Sequence, residues 1–86
     1  MEQVVRMGDG VGLHGRPGAL LVDLCRKFPD SRILICKEGK EVQATSLLNL
    51  LALGVVKGDS ITVRIEGGDE GSAFARVNAI LSGEVR

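Results

Sequence analysis

The sequence predicts an α+β fold for its 86 residues: an open-faced β-sandwich in which three helices cover one face of a four-stranded, mostly antiparallel sheet. Three observations support this fold class. The length fits a single domain over residues 1–86. Strand-like and helix-like segments follow in the order strand, helix, strand, strand, helix, strand, helix. The last strand segment, SITVRIE, alternates cleanly between apolar and polar residues, so one sheet face is expected to contact water.

The first two predicted elements are a short strand and a helix. The segment VVRM places Val5 and Met7 on one side of a strand. Glycines then interrupt the chain, and Pro17 suits the first turn of a helix because a missing N–H costs nothing there. Phe28-Pro29-Asp30 ends this helix. Its apolar stripe consists of Leu21, Leu24, Cys25 and Phe28.

The segment RILICKEGKEV predicts two strands joined by a tight turn at Glu38-Gly39. Ile33 and Ile35 are expected to face the core from one strand, and Val42 from its partner.

A short helix, a strand and a final helix are predicted next. Ser46 is a preferred helix N-cap, and Gly54 ends the short helix. In the last strand the inward residues are Ile61, Val63 and Ile65, whereas Arg64 and Glu66 are expected to be solvated. Asp69 and Glu70 favour the N-terminus of the final helix. Its expected stripe is Phe74, Val77 and Leu81.

The composition excludes several classes of function. Eleven basic residues balance eleven acidic ones, which argues against a general nucleic-acid binder. Only Phe28 and Phe74 are aromatic, so the chain has almost no side chains on which nucleic-acid bases could stack. No apolar run approaches the ~20 residues of a membrane span, and the N-terminus lacks the pattern of a secretory signal. We therefore expect a cytoplasmic protein that does not insert into membranes.

The two cysteines indicate neither a metal site nor a redox pair. Cys25 and Cys36 form no metal-ligand spacing with the single histidine. One disulfide is arithmetically possible, but cytosolic thiols stay reduced. Both cysteines are more simply interpreted as core or near-core residues. We expect no metal and no cofactor.

The stretch VGLHGRPGALL contains the only histidine of the chain, His14. A single histidine at a loop end is most simply a solvated or capping residue. Its position immediately before a helix opened by Pro17 suggests more, because the free N–H groups of Gly15 and Arg16 and the helix dipole would favour a phosphate there. The Arg16 guanidinium adds a planar donor with a permanent charge. The imidazole of His14 could then attack a phosphoryl donor and carry the group covalently.

The residues GLHGRPGA resemble the active-site signature of the HPr family, the histidine-containing phosphocarriers of the bacterial sugar phosphotransferase system. Ser46 followed by LLNLLALGVVKGDSITV resembles the second signature of that family. The two signatures stand in the family's order and at its separation, and the similarity spans nearly the whole chain.

The resemblance implies a role for each matching residue. His14 would be phosphorylated on its ring Nδ1 by phospho-enzyme I and would pass the group to a sugar-specific enzyme IIA, with Arg16 as the active-site arginine. Ser46 would be the serine that HPr kinase/phosphorylase modifies, with a transcription regulator as a further partner. The protein would act as a monomeric carrier and not as a turnover enzyme. The partner-docking residues would be Leu47, Leu48 and Leu51.

Three positions depart from the family pattern. Gly15 stands where Ala, Ser or Thr is usual, Asp23 where a basic residue is often found, and Thr45 where a lysine is common. These departures concern the choice of partner and the regulation at Ser46, and they leave the phosphoryl chemistry intact.

The residues leave structural alternatives and other functions open. Ser46 is also interpretable as an N-cap alone, which is compatible with its modification. Some leucines of LLNLLAL must fill the core, but five of them exceed one buried stripe, so the surplus suggests an exposed docking surface. The alternative functions are a paralogous carrier of a regulatory or nitrogen-linked phosphotransferase chain, and a regulatory module that is not phosphorylated and acts through the leucines and Ser46.

Overall fold

The computed structural model describes residues 1–8, 12–13 and 15–84, and in this part of the chain it contains four strands and three helices. The strands are β1 (Glu2–Arg6), β2 (Arg32–Lys37), β3 (Lys40–Gln43) and β4 (Ser60–Glu66). The helices are α1 (Gly15–Lys27), α2 (Leu47–Leu53) and α3 (Glu70–Ser82). Their order along the chain is the predicted one.

The four strands form one sheet in the order β1-β4-β2-β3, and all three neighbouring pairs are antiparallel. The turn between β2 and β3 has positive φ at both Glu38 (51°) and Gly39 (82°). This is the conformation of a two-residue hairpin turn that follows the twist of its strands. The predicted open-faced α+β sandwich is therefore confirmed, with a sheet that is antiparallel throughout.

One face of the sheet forms the core. Ile61, Val63 and Ile65 of β4 are at most 1% exposed, as the alternation of SITVRIE predicts. They pair across the sheet with other buried residues: Ile61 with Val5, and Ile65 with Ile33. The helices cover this face with a further set of buried side chains: Leu21, Leu24 and Cys25 from α1, Leu50 from α2, and Ala73, Val77, Ile80 and Leu81 from α3.

The buried stripe of α3 differs slightly from the predicted one. Val77 and Leu81 are fully buried as expected, but Phe74 is only half-buried and packs against the edge of the core. Ala73 takes the buried position one residue earlier. The larger ring is therefore accommodated where part of it can remain in water.

The open face of the sheet holds a buried leucine that periodicity does not predict. Leu34 lies opposite Arg64 of β4 and Gln43 of β3, outside the main core cluster, yet it is only 3% exposed. Arg64 pairs with Glu41 at 2.6 Å and with Glu66 at 3.9 Å. Its Nε is buried and has no hydrogen-bond partner. Arg64 is thus not simply the solvated residue that the alternation predicts, because its side chain is only partly exposed and its Nε is buried.

Ser46 and Gly54 delimit α2 as predicted. Ser46 is extended (φ −115°, ψ 113°), and its Oγ accepts a hydrogen bond from the Asn49 N–H at 3.3 Å. Gly54 ends the helix in the left-handed conformation. The leucines of this helix divide between two environments: Leu50 is fully buried, whereas Leu47, Leu48 and Leu51 are 38%, 78% and 44% exposed.

Asp69 is the N-cap of α3. Its Oδ1 accepts a hydrogen bond from the Ser72 N–H at 3.1 Å. This bond favours the charged carboxylate and lowers the pKa of Asp69. A carboxyl group whose pKa is lower in the folded than in the unfolded chain stabilises the fold above its unfolded pKa, and that stabilisation is lost as the pH falls through its folded pKa.

The two environments on α2 predict opposite outcomes for two leucine substitutions. Leu50→Ala should lower the free energy of unfolding by about 2–5 kcal/mol, because it leaves a cavity in the core. Leu48→Ala should change it by less than about 0.5 kcal/mol, because the side chain is already in water. Urea unfolding followed by circular dichroism suits a chain without Trp or Tyr. Equal losses in both variants would contradict the burial described here.

The cap of α3 predicts a pH dependence that one substitution should reduce. Asn is as good an N-cap as Asp but does not titrate, so Asp69→Asn should unfold near the wild-type midpoint at neutral pH. Below about pH 5, the wild type should lose stability faster than the variant. In the wild type the unfolded chain binds a proton at Asp69 more tightly than the folded chain does, whereas the asparagine of the variant binds none. Thermal unfolding at a series of pH values measures both effects. Parallel acid profiles would contradict the role of the Asp69 carboxylate.

Candidate functional site

The site predicted from the sequence begins at the first turn of α1. His14, the predicted nucleophile, lies outside the described residues. Gly15 and Arg16, the predicted phosphate-binding residues, are the first two residues of the helix and are both exposed. The first N–H groups of a helix have no acceptor within it, so this turn presents donors and partial positive charge. In the described part of the chain the Arg16 side chain makes no ion pair.

Gly15 has a backbone conformation that favours glycine. Its φ is +59°, whereas a Cβ placed on it would meet no atom within 4 Å. The space around this position would therefore accept a side chain, and the constraint comes from the backbone alone. This gives a physical account of the glycine at a position where the resemblance leads one to expect Ala, Ser or Thr.

The start of α2 packs directly against the first turn of α1. A Cβ at the buried Gly18 would lie 3.0 Å from Leu47 Cδ1 and 3.4 Å from the Leu13 carbonyl oxygen. The missing side chain of Gly18 therefore lets α2 approach the segment that contains His14. A second contact is the long-range hydrogen bond from the Leu13 N–H to the Val55 carbonyl, 3.1 Å long, which joins the residue before His14 to the segment after α2. The two motifs, about thirty residues apart in sequence, are neighbours in the structure.

Three leucines are exposed on α2, whose first residue packs against this turn. Leu47, Leu48 and Leu51, here named the leucine patch, lie on one side of α2 because positions three and four residues apart share a helix face. The prediction that surplus leucines of this helix are exposed is thus confirmed. Val56, just after the helix, is 52% exposed and was not singled out from the sequence. Exposed apolar residues that cluster in this way are typical of a contact surface.

Ser46 is half-buried, and its hydroxyl serves as the cap of α2. Its carbonyl accepts the Leu50 N–H at 3.1 Å, so both polar groups of this residue support the first turn of the helix. The structural interpretation of Ser46 is therefore confirmed, while its modification stays a prediction. Through its neighbour Leu47, Ser46 adjoins the packing contact with Gly18.

The predicted site residues do not line the described surface grooves. One groove, of about 130 Å³, lies between α1 and α3, where Asp23 and Lys27 form an ion pair at 3.7 Å. The other, of about 420 Å³, follows the open sheet face and the β3 edge, with Arg32, Leu34 and Asn49 in its lining. Arg16, Ser46 and the leucine patch belong to neither groove.

The described residues include no cluster of metal ligands, and one of the two thiols is buried. Among residues 1–8, 12–13 and 15–84, no three His, Cys, Asp or Glu side chains are grouped so that they could hold a metal ion. Cys25 and Cys36 are both free, and burial raises the pKa of the Cys25 thiol, which disfavours the reactive thiolate. In the same described ranges, each helix is too short or too polar to cross a bilayer.

The family model described as the PTS HPr component phosphorylation site matches residues 1–82. The phosphocarrier protein HPr of Mycoplasma genitalium is 37% identical over 73 residues, which are 85% of this chain and 83% of that protein. The HPr-like protein Crh of Halalkalibacterium halodurans is 37% identical over 84 residues, 98% of this chain and 99% of that one.

The crystal structure of HPr-C-His from Thermoanaerobacter tengcongensis superimposes with a TM-score of 0.87 at 32% identity, over 100% of this chain and 99% of that one. This similarity covers the antiparallel sheet, the three helices and the order in which they occur. Together with the family match over residues 1–82, it identifies the chain as a member of the HPr family of phosphocarriers of the phosphotransferase system.

Proposed function

We propose that this protein accepts a phosphoryl group on His14 from phospho-enzyme I and passes it to an enzyme IIA of the sugar phosphotransferase system. In the first transfer, the Nδ1 lone pair of His14 forms a bond to phosphorus while the bond between phosphorus and enzyme I breaks. The electron pair of that bond stays with enzyme I. In the second transfer the N–P bond of His14 breaks as enzyme IIA attacks the same phosphorus. The carrier is regenerated and no cofactor is consumed.

The observation that carries this proposal is the family match over residues 1–82, which includes the only histidine of the chain in GLHGRPGA. The first turn of α1 supports it. Gly15 and Arg16 are exposed there, next to His14 in the chain, and provide helix N–H groups and a guanidinium for a dianionic phosphoryl group. Charge that develops during transfer is best stabilised by donors that are already in place, and the first turn of a helix is such an arrangement.

The leucine patch is the proposed docking surface for both partners. Leu48 is the most exposed large apolar residue in the described structure, and Leu47 contacts the first turn of α1 at Gly18. A partner that covers the leucine patch would therefore place its own phosphoryl site close to His14. The protein would act as a cytoplasmic monomer that diffuses from one partner to the next.

The carrier function predicts which variants retain the label from phosphoenolpyruvate. With labelled phosphoenolpyruvate and the cognate enzyme I, the wild type should gain an acid-labile label and His14→Ala should gain none. Arg16→Ala should lower kcat/KM of labelling about 100-fold, with Arg16→Lys in between, because only the guanidinium offers a planar donor pair. Leu48→Ala should raise KM and leave the unfolding midpoint unchanged. An unlabelled wild type would refute the carrier function.

A second candidate function is regulatory. The similarity to the HPr-like protein Crh over 98% of this chain favours it, as do the exposed leucines next to Ser46. In this alternative the chain binds a transcription regulator or enzyme and carries no phosphoryl group, which leaves His14 and Arg16 without a role. A third possibility is a carrier for a regulatory or nitrogen-linked phosphotransferase chain. Label that arrives from enzyme I but passes to no sugar enzyme IIA would favour this third function.

We propose that Ser46 is a regulatory phosphorylation site, the substrate of an HPr kinase/phosphorylase. A phosphate on Oγ would add nearly two negative charges at the N-cap of α2, where they are compatible with the helix. It would act beside Leu47 and Leu48 by repelling or recruiting partners and not by unfolding the helix.

This mechanism predicts an order of stabilities for two Ser46 variants. Ser46→Ala removes the bond to the Asn49 N–H and should lower the free energy of unfolding by about 0.5–2 kcal/mol. Ser46→Asp retains an acceptor and adds a favourable charge, so its thermal midpoint should exceed that of Ser46→Ala. The two midpoints are compared by circular dichroism under identical buffer conditions. A lower midpoint for Ser46→Asp would count against regulation on an intact helix.

A further inference from the structure

The segment of residues 55–59, between α2 and β4, is hydrogen-bonded to Met7 and to Leu13, the residue that precedes His14. The Met7 N–H donates to the Asp59 carbonyl at 2.8 Å, and the Met7 carbonyl accepts the Gly58 N–H at 3.3 Å. The Leu13 N–H donates to the Val55 carbonyl at 3.1 Å. Met7, Leu13 and Val55 are at most 2% exposed. One short segment therefore binds the described residues Met7 and Leu13, which stand before and after residues 9–11 in the chain.

The side chain of Asp59 closes this segment on itself. The Asp59 N–H donates to the Val56 carbonyl at 3.1 Å, and the Val56 N–H donates back to Asp59 Oδ2 at 3.0 Å. This reciprocal pair fixes the backbone next to Val55, whose carbonyl holds Leu13. The Asp59 carboxylate thus binds Val56, the residue that follows Val55, and Val55 in turn accepts the hydrogen bond from Leu13.

Lys37, the last residue of β2, holds the same segment from outside. Its Nζ lies 2.8 Å from Asp59 Oδ2 and 2.8 Å from the carbonyl oxygen of Gly54, so one ammonium group spans both ends of residues 54–59. With side chains 19% and 26% exposed, it is the least exposed ion pair in the described part of the chain. Partial exclusion of water strengthens such a contact. The bond from Lys37, followed by that from the Val56 N–H, lowers the pKa of Asp59, which keeps the pair charged at neutral pH.

We propose that Lys37 and Asp59 are positioning residues for phosphoryl transfer: by fixing residues 54–59 they fix the Val55 carbonyl, and through it the backbone of Leu13, the residue bonded to His14. This inference rests on the proposed carrier function of His14. Phosphoryl transfer between two proteins needs an in-line approach, and a displacement of about 1 Å at the reacting group can lower the rate about 100-fold.

Three variants test the positioning role. Asp59→Asn can still accept the Val56 N–H through its amide oxygen, but it loses the charge that attracts Lys37. Lys37→Met removes the ammonium and retains an unbranched side chain, whereas Lys37→Arg retains charge and donors. In transfer from phospho-enzyme I, Asp59→Asn and Lys37→Met should each lower kcat at least about 10-fold with little change in KM, because the leucine patch is untouched. Lys37→Arg should recover most of kcat.

A matched control is the ion pair of Arg64 with Glu41 on the open sheet face, which at 2.6 Å is shorter and does not contact residues 54–59. Glu41→Gln breaks a surface pair of the same kind and should leave kcat unchanged. The double variant Lys37→Met/Asp59→Asn should be no slower than either single variant, since two partners of one contact act as a unit. All rates are measured well below the unfolding midpoint of each variant.

Amide hydrogen exchange at Leu13 gives a readout that does not depend on transfer. Its N–H is bonded to the Val55 carbonyl, so Asp59→Asn should speed its exchange while the amides of β4 exchange as in the wild type. A labelled wild type with unchanged kcat in both variants overturns the positioning role and leaves the carrier function intact. Unchanged Leu13 exchange also overturns it. If the wild type takes no label, the carrier function fails, and with it the catalytic part of this inference.

Discussion

The structure depends on the burial of one face of a single antiparallel sheet. β4 is an inner strand between β1 and β2, and its three apolar residues, Ile61, Val63 and Ile65, are almost completely removed from water. Burial of this apolar surface is favourable by about 25 cal/mol for each Å², and it requires that helices cover the strand. Leu21 of α1 and Leu81 of α3 meet this face and are 0% exposed. The location of the first turn of α1 therefore follows from the packing of its buried side.

The location of the site follows from a second packing contact at the edge of this core. Gly18 has no side chain, and this absence lets Leu47 bring the start of α2 against the first turn of α1. The start of α2, with the cap residue Ser46 and Leu47, thereby lies beside the first turn of α1, which contains Arg16. This geometry is compatible with a carrier whose reactive group must be approached by two different partners in turn.

The two faces of the sheet use polar residues in different ways. On the open face, Arg64 bridges Glu41 and Glu66 beside the buried Leu34, and its exposed ion pairs are expected to contribute little to stability. At the end of β2, Lys37 and Asp59 are partly shielded from water and bind the segment whose backbone contacts Met7 and Leu13. Ion pairs of similar length thus have different surroundings, because one lies between strands on the open face and the other joins the end of β2 to the segment between α2 and β4.

Local sequence patterns were sufficient to predict much of the fold and to predict which residues form the candidate site. The alternation in SITVRIE, the tight turn at Glu38-Gly39 and the caps Ser46 and Gly54 are short-range features, and all appear in the structure as the sequence predicts. The signature GLHGRPGA and the leucines after Ser46 likewise identified the family, because they are stretches of adjacent residues. Contacts between distant residues were decided only by the tertiary structure: the approach of Leu47 to Gly18, the burial of Leu34 beside Arg64, and the attachment of Leu13 to Val55 below the Lys37–Asp59 pair. No periodicity or spacing encodes such contacts, since each depends on where the burial of the sheet places two elements relative to one another.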